Sequence, residues 1–477
     1  MSDQHTSSTF TWTLFGTGPL PAAAALRVVV VGAGMAGLTA ARLLHDSGCR
    51  VTVVEARQRR GGRTWTDDSL GAPCDLGASW IHGADDNPLT NWCVNLGIDL
   101  IYTHEEDPLV YQGGQSQRLS TIYDQASFTL DDVGERLDAA ARGRLISLEE
   151  AAAGLINDLT LTTFDQRVLA WVLTMAEGVE GAPARDIDAR HWFPNESNMV
   201  NAMPKGGYRT LIDDAATGLD IRLGTPVTGI AYDTEGVTVA TEQGPLQADA
   251  VVITVPLGIL TADLIRFTPE LPSAKQAALQ AIGFGGDGVL NKVFMRFAAP
   301  FWNPQQSRLI GLPDAIKGRG AYNTWFNLEE FNQAPILLSF SNGLIGAQLD
   351  RAADDDTIFA VAMARLQTMF GPTVPEPAAF LVTRWLSDPW ARGSYSYSKV
   401  GTTAEHRRIY AQPVGKQLYF AGEAAAPDHY GTVHAALLAG AAAARQLTAD
   451  HLGVAGDFAN APWYGPNIPK HFSGVAR

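Results

Sequence analysis

The stretch RVVVVGAGMAGLTAARLLHDSGCRVTVVEA, Arg27 to Ala56, decides the fold. Four consecutive valines ending in glycine read as a short strand buried on both faces, the pattern of a parallel sheet. Met35 to Asp46 then carry apolar residues at helical spacing, and Gly48 closes the run. RVTVVEA is a second strand, which completes a βαβ unit. Gly32, Gly34 and Gly37 form GxGxxG where the first strand turns into the helix. Glycines there allow a tight turn and close backbone approach, and the helix N-terminus attracts a pyrophosphate. Glu55 ends the second strand, 18 residues after Gly37. A carboxylate at that point accepts hydrogen bonds from a ribose 2′-hydroxyl and repels a 2′-phosphate. The combination predicts a dinucleotide site in an α/β, Rossmann-like domain.

Beyond Glu55 the chain continues ARQRRGGRTWT. Arg57, Arg59 and Arg60 suit a solvated basic loop. Gly61, Gly62 and Arg63 suit a long, enclosed flavin nucleotide whose phosphates the arginine approaches. Two later segments carry the rest of this domain. Residues 203–285 hold the helix-like GGYRTLIDDAATG and the strand-like VTGIAYD, GVTVATEQ and ADAVVITVP. Residues 391–450 hold the strand QLYFAGE and the alanine-rich helix HAALLAGAAAARQL. The nucleotide-binding domain is therefore expected to be discontinuous, built from 27–110, 203–285 and 391–450. Residues 111–202, largely helical and polar, and 286–390, with strands and the helix DDDTIFAVAMARLQTMF, are expected to join into an inserted α+β substrate-binding domain. Residues 1–26 read as a leader and 451–477 as a C-terminal extension.

The net charge of −15 argues against nucleic acid or an anionic membrane as partner and suits a cationic ligand. Cys49, Cys74 and Cys93 form no disulfide framework and no metal motif. No apolar run approaches the roughly 18 to 20 residues that span a bilayer. The first 26 residues contain no Lys or Arg, so a secretory signal with a basic start is not expected and the protein reads as cytoplasmic. Oligomeric state is not legible in the sequence.

The stretches VVVVGAGMAGLTAARLL, GGRTWT, DLGASWIHG, LNKVF, DPWARGSYSY and LYFAGEAAAPDHYGTVHAALLAG carry a resemblance. In that order and spacing, from Arg27 to about Leu447, the chain resembles the flavin-dependent amine oxidases, which include polyamine, spermine and monoamine oxidases and lysine-specific histone demethylases. DPWARGSYSY and TVHAALLAG are most similar to the demethylase and polyamine oxidase branch. The resemblance implies an FAD-binding domain with an inserted substrate domain, and oxidation of a C–N bond. Hydride would leave the carbon beside a neutral amine for flavin N5, the imine would hydrolyse, and O2 would reoxidise the flavin to give H2O2.

It also implies roles for particular residues. Lys292, within VLNKVFMRF (Val289 to Phe297), would by itself read as a snorkelling surface lysine. By resemblance it reaches flavin N5 through a water and stabilises charge during reoxidation. Tyr395 is one wall of an aromatic cage. Thr432 stands where many relatives carry the second aromatic, which leaves room for a substituted or secondary amine. Ser394 stands where monoamine oxidases carry the cysteine that tethers the flavin, so FAD is expected to bind noncovalently. Glu423 lies beside the ribityl chain and phosphates, Trp390 packs on the ring, and Val227 meets the adenine through its backbone. The helix starting near Thr432 stabilises the anionic reduced flavin. Trp80 replaces the arginine with which amino-acid oxidases clamp a carboxylate, which disfavours α-amino acids. His82 matches a histidine placed beside a substrate nitrogen, and Glu177 resembles the acid presented to a distal ammonium. Asp85, Asp86, Glu105, Glu106 and Glu180 are candidate mouth residues, most of them read as solvated surface charge. The expected substrate is a polycationic amine: spermine, spermidine or an acetylated form. The alternatives are another secondary amine (methyl-lysine or a specialised metabolite) or a non-catalytic flavoprotein. The demethylase reading lacks the long helical tower insertion.

Overall fold

The computed structural model describes residues 12, 14, 20, 23, 25–103, 107–158, 161–191, 200–352, 354–457 and 461–464. The valine strand Arg27–Val31 is central in a five-stranded parallel sheet. The strand order is Leu418–Phe420, Ala250–Ile253, Arg27–Val31, Arg50–Val54, Asp220–Arg222. Val30 is in register with Val252 on one side and Val53 on the other. All three segments expected to build the nucleotide-binding domain thus contribute strands to one sheet.

Both faces of that sheet are covered, as continuous apolar strands require. On one face lie the helices Met35–Asp46 and Val433–Leu452, packed with Val28, Val30 and Val252 into one core. The alanine content of the later helix follows from how closely the two approach: a Cβ on Gly440 would lie 2.2 Å from the carbonyl oxygen of Ala36. On the other face Val29, Val31 and Ile253 pack against Val239, Ile259 and Ile265. Val239 comes from a second, four-stranded sheet. Most of the expected leader and extension lies outside the described residues. Two of their described tryptophans are buried: Trp12 stacks edge-on against Trp92 at 4.9 Å, and Trp463 shares their core.

The second body is a seven-stranded sheet, in the order Ala379–Val382, Leu290–Arg296, Ile336–Asn342, Ala321–Asn327, Arg308–Ile310, Leu109–Gln112, Gln115–Arg118. Parallel pairing of Leu109 with Leu309 and Val110 with Ile310 joins the two inserted stretches. The strand Leu109–Gln112 straddles the boundary expected at 110, because its partner belongs to the inserted sheet. The helices Leu130–Ala141 and Thr163–Glu180 pack on this body, each begun by a threonine capping box (Thr129 with Asp132, Thr162 with Asp165). A short antiparallel ladder pairs Gly283–Phe284 with Ser396–Tyr397, and the main cavity is lined from both bodies.

The glycine turn has no spare room. A Cβ on Gly37 would lie 1.9 Å from the carbonyl oxygen of Gly32. Gly37→Ala is therefore expected to part helix from strand, cost about 3 kcal/mol in urea denaturation and reduce flavin retained on gel filtration.

Candidate active site

One cavity of 1480 Å³ runs from the glycine turn to the inserted sheet. Gly32, Gly34, Gly62, Arg63 and Glu55 line its first end, with Val227 nearby. The first-end residues fit a dinucleotide. At Gly34 an added Cβ would meet nothing closer than 3.9 Å, so the space in front of the turn is open, whereas Gly32 and Gly37 are closed by Thr254 and by Gly32 itself. The helix Met35–Asp46 begins there with no side-chain cap and no acidic residue in its first turn, which leaves its N-terminal amides and partial positive charge for an anion. Glu55 is buried and held in place: its carboxylate accepts from the Ala33 amide at 2.8 Å and the Arg57 amide at 2.9 Å. A β-bulge between Val227 and Gly229 breaks the regular pairing beside the cavity.

In the middle, Arg63 Nη1 donates to Glu423 Oε1 at 2.8 Å and to the Ser394 carbonyl at 3.0 Å. Glu423 also accepts from Ser396 Oγ at 2.6 Å and from the Gly431 amide at 2.8 Å. Burial alone would raise this carboxyl; Arg63, Ser396 and Arg407 outweigh it and hold it below the usual range. The pair thus fixes the loop bearing Tyr395 against the entry to the helix Val433–Leu452. Thr432 caps that helix, accepting from the Ala435 amide at 3.2 Å and donating to the His429 carbonyl at 2.6 Å. Tyr395 donates to the Gly178 carbonyl at 2.5 Å and lines the cavity, as does Thr432. The structure thus brings Tyr395, Thr432, Glu423 and Arg63 to one wall. Trp390 reaches the cavity but stays 38% exposed; Trp385, five residues earlier, is the buried indole there, donating to the Leu76 carbonyl at 3.1 Å.

Lys292 is buried at the meeting of the two bodies. Its strand neighbours are apolar, yet Nζ donates to the carbonyls of Asp75 at 2.8 Å and Gly77 at 2.5 Å and to Ser79 Oγ at 2.6 Å. Burial pushes the lysine down and the Asp75 carboxyl up, and each charge partly offsets the shift of the other. The rings of Trp80 and Phe340 lie 5.8 and 6.0 Å from the ammonium. Trp80 packs on Phe326 at 5.0 Å and, with Phe340, forms an apolar wall where an amino-acid clamp would need a cation. His82 is exposed at the cavity edge, its Nδ1 3.0 Å from Asn201 Oδ1.

Glu177 is not where the resemblance placed it. It is buried and bidentate to Arg319, with Nη2 to Oε1 at 2.7 Å and Nε to Oε2 at 3.1 Å, and it accepts from the Ala184 amide at 2.9 Å. It does not line the cavity. Arg319 claims it, and the carboxylate one turn later, Glu180, lines the cavity instead. Glu180 is buried, accepts from the Ser398 amide at 3.2 Å and from Tyr430 Oη at 3.4 Å. Of the other mouth candidates, Asp85 and Asp86 are exposed and off the cavity, and Glu105 and Glu106 lie outside the described residues. Sequence reasoning also missed Ser79, although DLGASW contains it, and Phe326, Phe340 and Trp385, for which no local pattern speaks.

A carboxyl whose folded pKa lies below its unfolded one contributes stability above the ordinary value, 4.5 for Glu423, and loses it as pH falls through the folded value. Glu423→Gln is expected to flatten the acid limb of a stability-versus-pH curve below that point. Arg63→Ala leaves the buried carboxylate short of a cation and is expected to cost about 3 kcal/mol at neutral pH, measured by urea denaturation.

The sequence profile described as flavin containing amine oxidoreductase matches residues 35–448. Over 439 residues the chain is 36% identical to polyamine oxidase 4 of Oryza sativa subsp. japonica, covering 87% of each protein. It is 32% identical over 444 residues to lysine-specific histone demethylase 2 of Homo sapiens, covering 88% of this chain and 53% of that one. A solved structure of putrescine oxidase bound to putrescine superimposes with a TM-score of 0.71 at 23% identity, over 89% of this chain and 99% of that one, which shows the shared fold. The chain belongs to the flavin-containing amine oxidoreductase family and is a flavin-containing amine oxidase.

Proposed function

We propose that this chain binds FAD noncovalently and oxidises a C–N bond of a polyamine, spermine, spermidine or an acetylated form. The flavin supplies the oxidation, taking hydride at N5 from the carbon beside the nitrogen and returning the electrons to O2 as H2O2. The chain's residues bind, orient and shield. The glycine turn and Glu55 would hold the adenosine half, Val227 the adenine and Arg63 with Glu423 the middle of the cofactor. The N-terminus of the helix Val433–Leu452 would face the ring, where its partial positive charge stabilises an anion. Noncovalent binding is supported by the thiols: Cys49, Cys74 and Cys93 are all buried, none lines the cavity, and burial pushes each thiol up.

Tyr395 and Trp80 would align the amine, Lys292 would serve the oxygen reaction and His82 would greet the substrate at the rim. The observation that carries the polyamine reading is Glu180, a buried carboxylate on the cavity wall at the end of the helix that also presents Gly178 and Val179. A second ammonium leaving water needs a paired carboxylate. A second reading, a secondary amine with an apolar arm, is favoured by Leu119, Tyr123, Leu130, Trp171 and Met175 at the far end.

Anaerobic bleaching of the flavin by spermine or spermidine, and not by amines with a single nitrogen, is the expected outcome; bleaching only by apolar monoamines would favour the second reading. Glu180→Gln is expected to raise KM for a polyamine about tenfold or more, ~1.4 kcal/mol, in a peroxide-release assay. Glu177→Gln should lower Tm and leave KM in place. Lys292→Met is expected to slow flavin reoxidation in stopped flow at least tenfold.

A further inference from the structure

An ammonium has three N–H bonds, and Lys292 spends all three on the loop Asp75 to Ser79. Two of the acceptors are carbonyl oxygens, which can take a hydrogen bond but have no proton to pass on. The third, Ser79 Oγ, both accepts and donates. Ser79 and Lys292 line the cavity together, and Asp75 does not. We propose that Ser79 is the proton relay of this oxidase, carrying a proton from Lys292 to the oxygen being reduced in the cavity. The inference rests on Lys292 lying beside the flavin.

The loop is built to hold that hydroxyl still. A Cβ on Gly77 would lie 1.7 Å from the Arg63 carbonyl oxygen, and the Ala78 and Leu76 amides donate to the Arg63 and Trp65 carbonyls at 3.1 and 2.8 Å. Ser79 Oγ sits 2.6 Å from Nζ, while its own hydrogen goes to the Asp75 carbonyl at a longer 3.2 Å. A turn about the Cβ–Oγ bond leaves Oγ beside Nζ and frees that hydrogen for the cavity. The charged and titratable groups facing Lys292 are the Asp75 carboxyl, itself bonded by Thr66 Oγ1 at 2.5 Å, and the Cys74 thiol; the rings of Trp80, Phe294 and Phe340 lie 5.8, 5.9 and 6.0 Å from its ammonium. Burial makes the lysine a readier acid than an exposed one.

The balance closes. Dioxygen gains two electrons from the reduced flavin, one proton from the flavin's own N5–H and one from the relay, giving H2O2 and oxidised flavin. In the relay the Ser79 O–H bond breaks toward the peroxide oxygen as a new O–H bond forms with the proton leaving Nζ. Lys292 is left as a neutral amine and regains its proton from water.

The test uses the holoenzyme reduced anaerobically and mixed with oxygenated buffer. Ser79→Ala is expected to slow reoxidation about tenfold or more, and Ser79→Thr, which keeps the hydroxyl, to restore most of the rate. In wild type, reoxidation should show a solvent deuterium effect whose dependence on deuterium fraction is curved, as two moving protons require; this needs no variant to fold. A readout free of turnover is the titration of ¹³Cε-labelled lysine, with seven lysines in the chain. Loss of the hydroxyl acceptor should move the Lys292 signal to lower pH by about one unit. Wild-type reoxidation in Ser79→Ala beside a slow Lys292→Met would overturn the relay and leave the lysine's role standing. Equal slowing in Ser79→Ala and Ser79→Thr, or a linear or absent deuterium dependence, would also overturn it. Unimpaired reoxidation in Lys292→Met would remove the reading on which it rests.

Discussion

The buried ammonium of Lys292 ties the two bodies of this molecule together. Lys292 comes from the inserted sheet, and its three acceptors come from a loop of the nucleotide-binding domain. Burying an unpaired ammonium would cost several kcal/mol, so the two bodies meet only in a geometry that supplies those oxygens. The same contact brings Trp80, which follows Ser79 directly, against Phe326 and Phe340 of the inserted sheet. One interaction thus sets the seam between the domains and one wall of the cavity.

The strand that presents this lysine is anchored from behind. Asn291 donates to Asp350 Oδ2 at 2.7 Å and accepts from the Trp385 amide at 2.9 Å, and the Lys292 amide donates to Thr383 Oγ1 at 2.7 Å. Asp350 in turn accepts from the Leu386 and Ser387 amides at 3.0 and 2.9 Å. The polar residues of LNK are therefore divided in labour: the lysine points to the cavity and the asparagine points to the scaffold. On the opposite wall, Arg63 and Glu423 do for the Tyr395 loop what Asp350 does for the lysine strand. Lys292 and Glu180 are each held by a partner off the cavity, the Asp75 carbonyl and the Ser398 amide, whereas Arg63 and Glu423 hold one another on its wall.

The nucleotide half was legible because its physics is local. Four valines, three glycines and a terminal carboxylate dictate a buried strand, a tight turn and a carboxylate beside that turn without reference to the rest of the chain. Gly34 and Gly37 sit differently within one motif: Gly34 faces open space, and Gly37 is closed by the Gly32 carbonyl at the end of the strand behind it. The substrate half was legible only where a motif carried it. Lys292 could not be told from a surface lysine by its strand alone, since its acceptors lie more than 200 residues away in sequence. Glu177 and Glu180 are one turn apart on one helix, and their fates are settled by Arg319, which no spacing rule connects to them. Phe326 and Phe340 become a wall only through strand register.

The sheet order has a consequence for how the polypeptide comes into being. The parallel sheet opens with Arg27–Val31 and is finished at its edge by Leu418–Phe420, while the inserted sheet waits on residues near 309 to trap the strand made two hundred residues before. A ribosome must therefore release the chain through Val382 before either layer is whole. Loops this long are slow to close, so the early strands spend much of synthesis with bare edges, and the parallel sheet, begun first, is the one finished last.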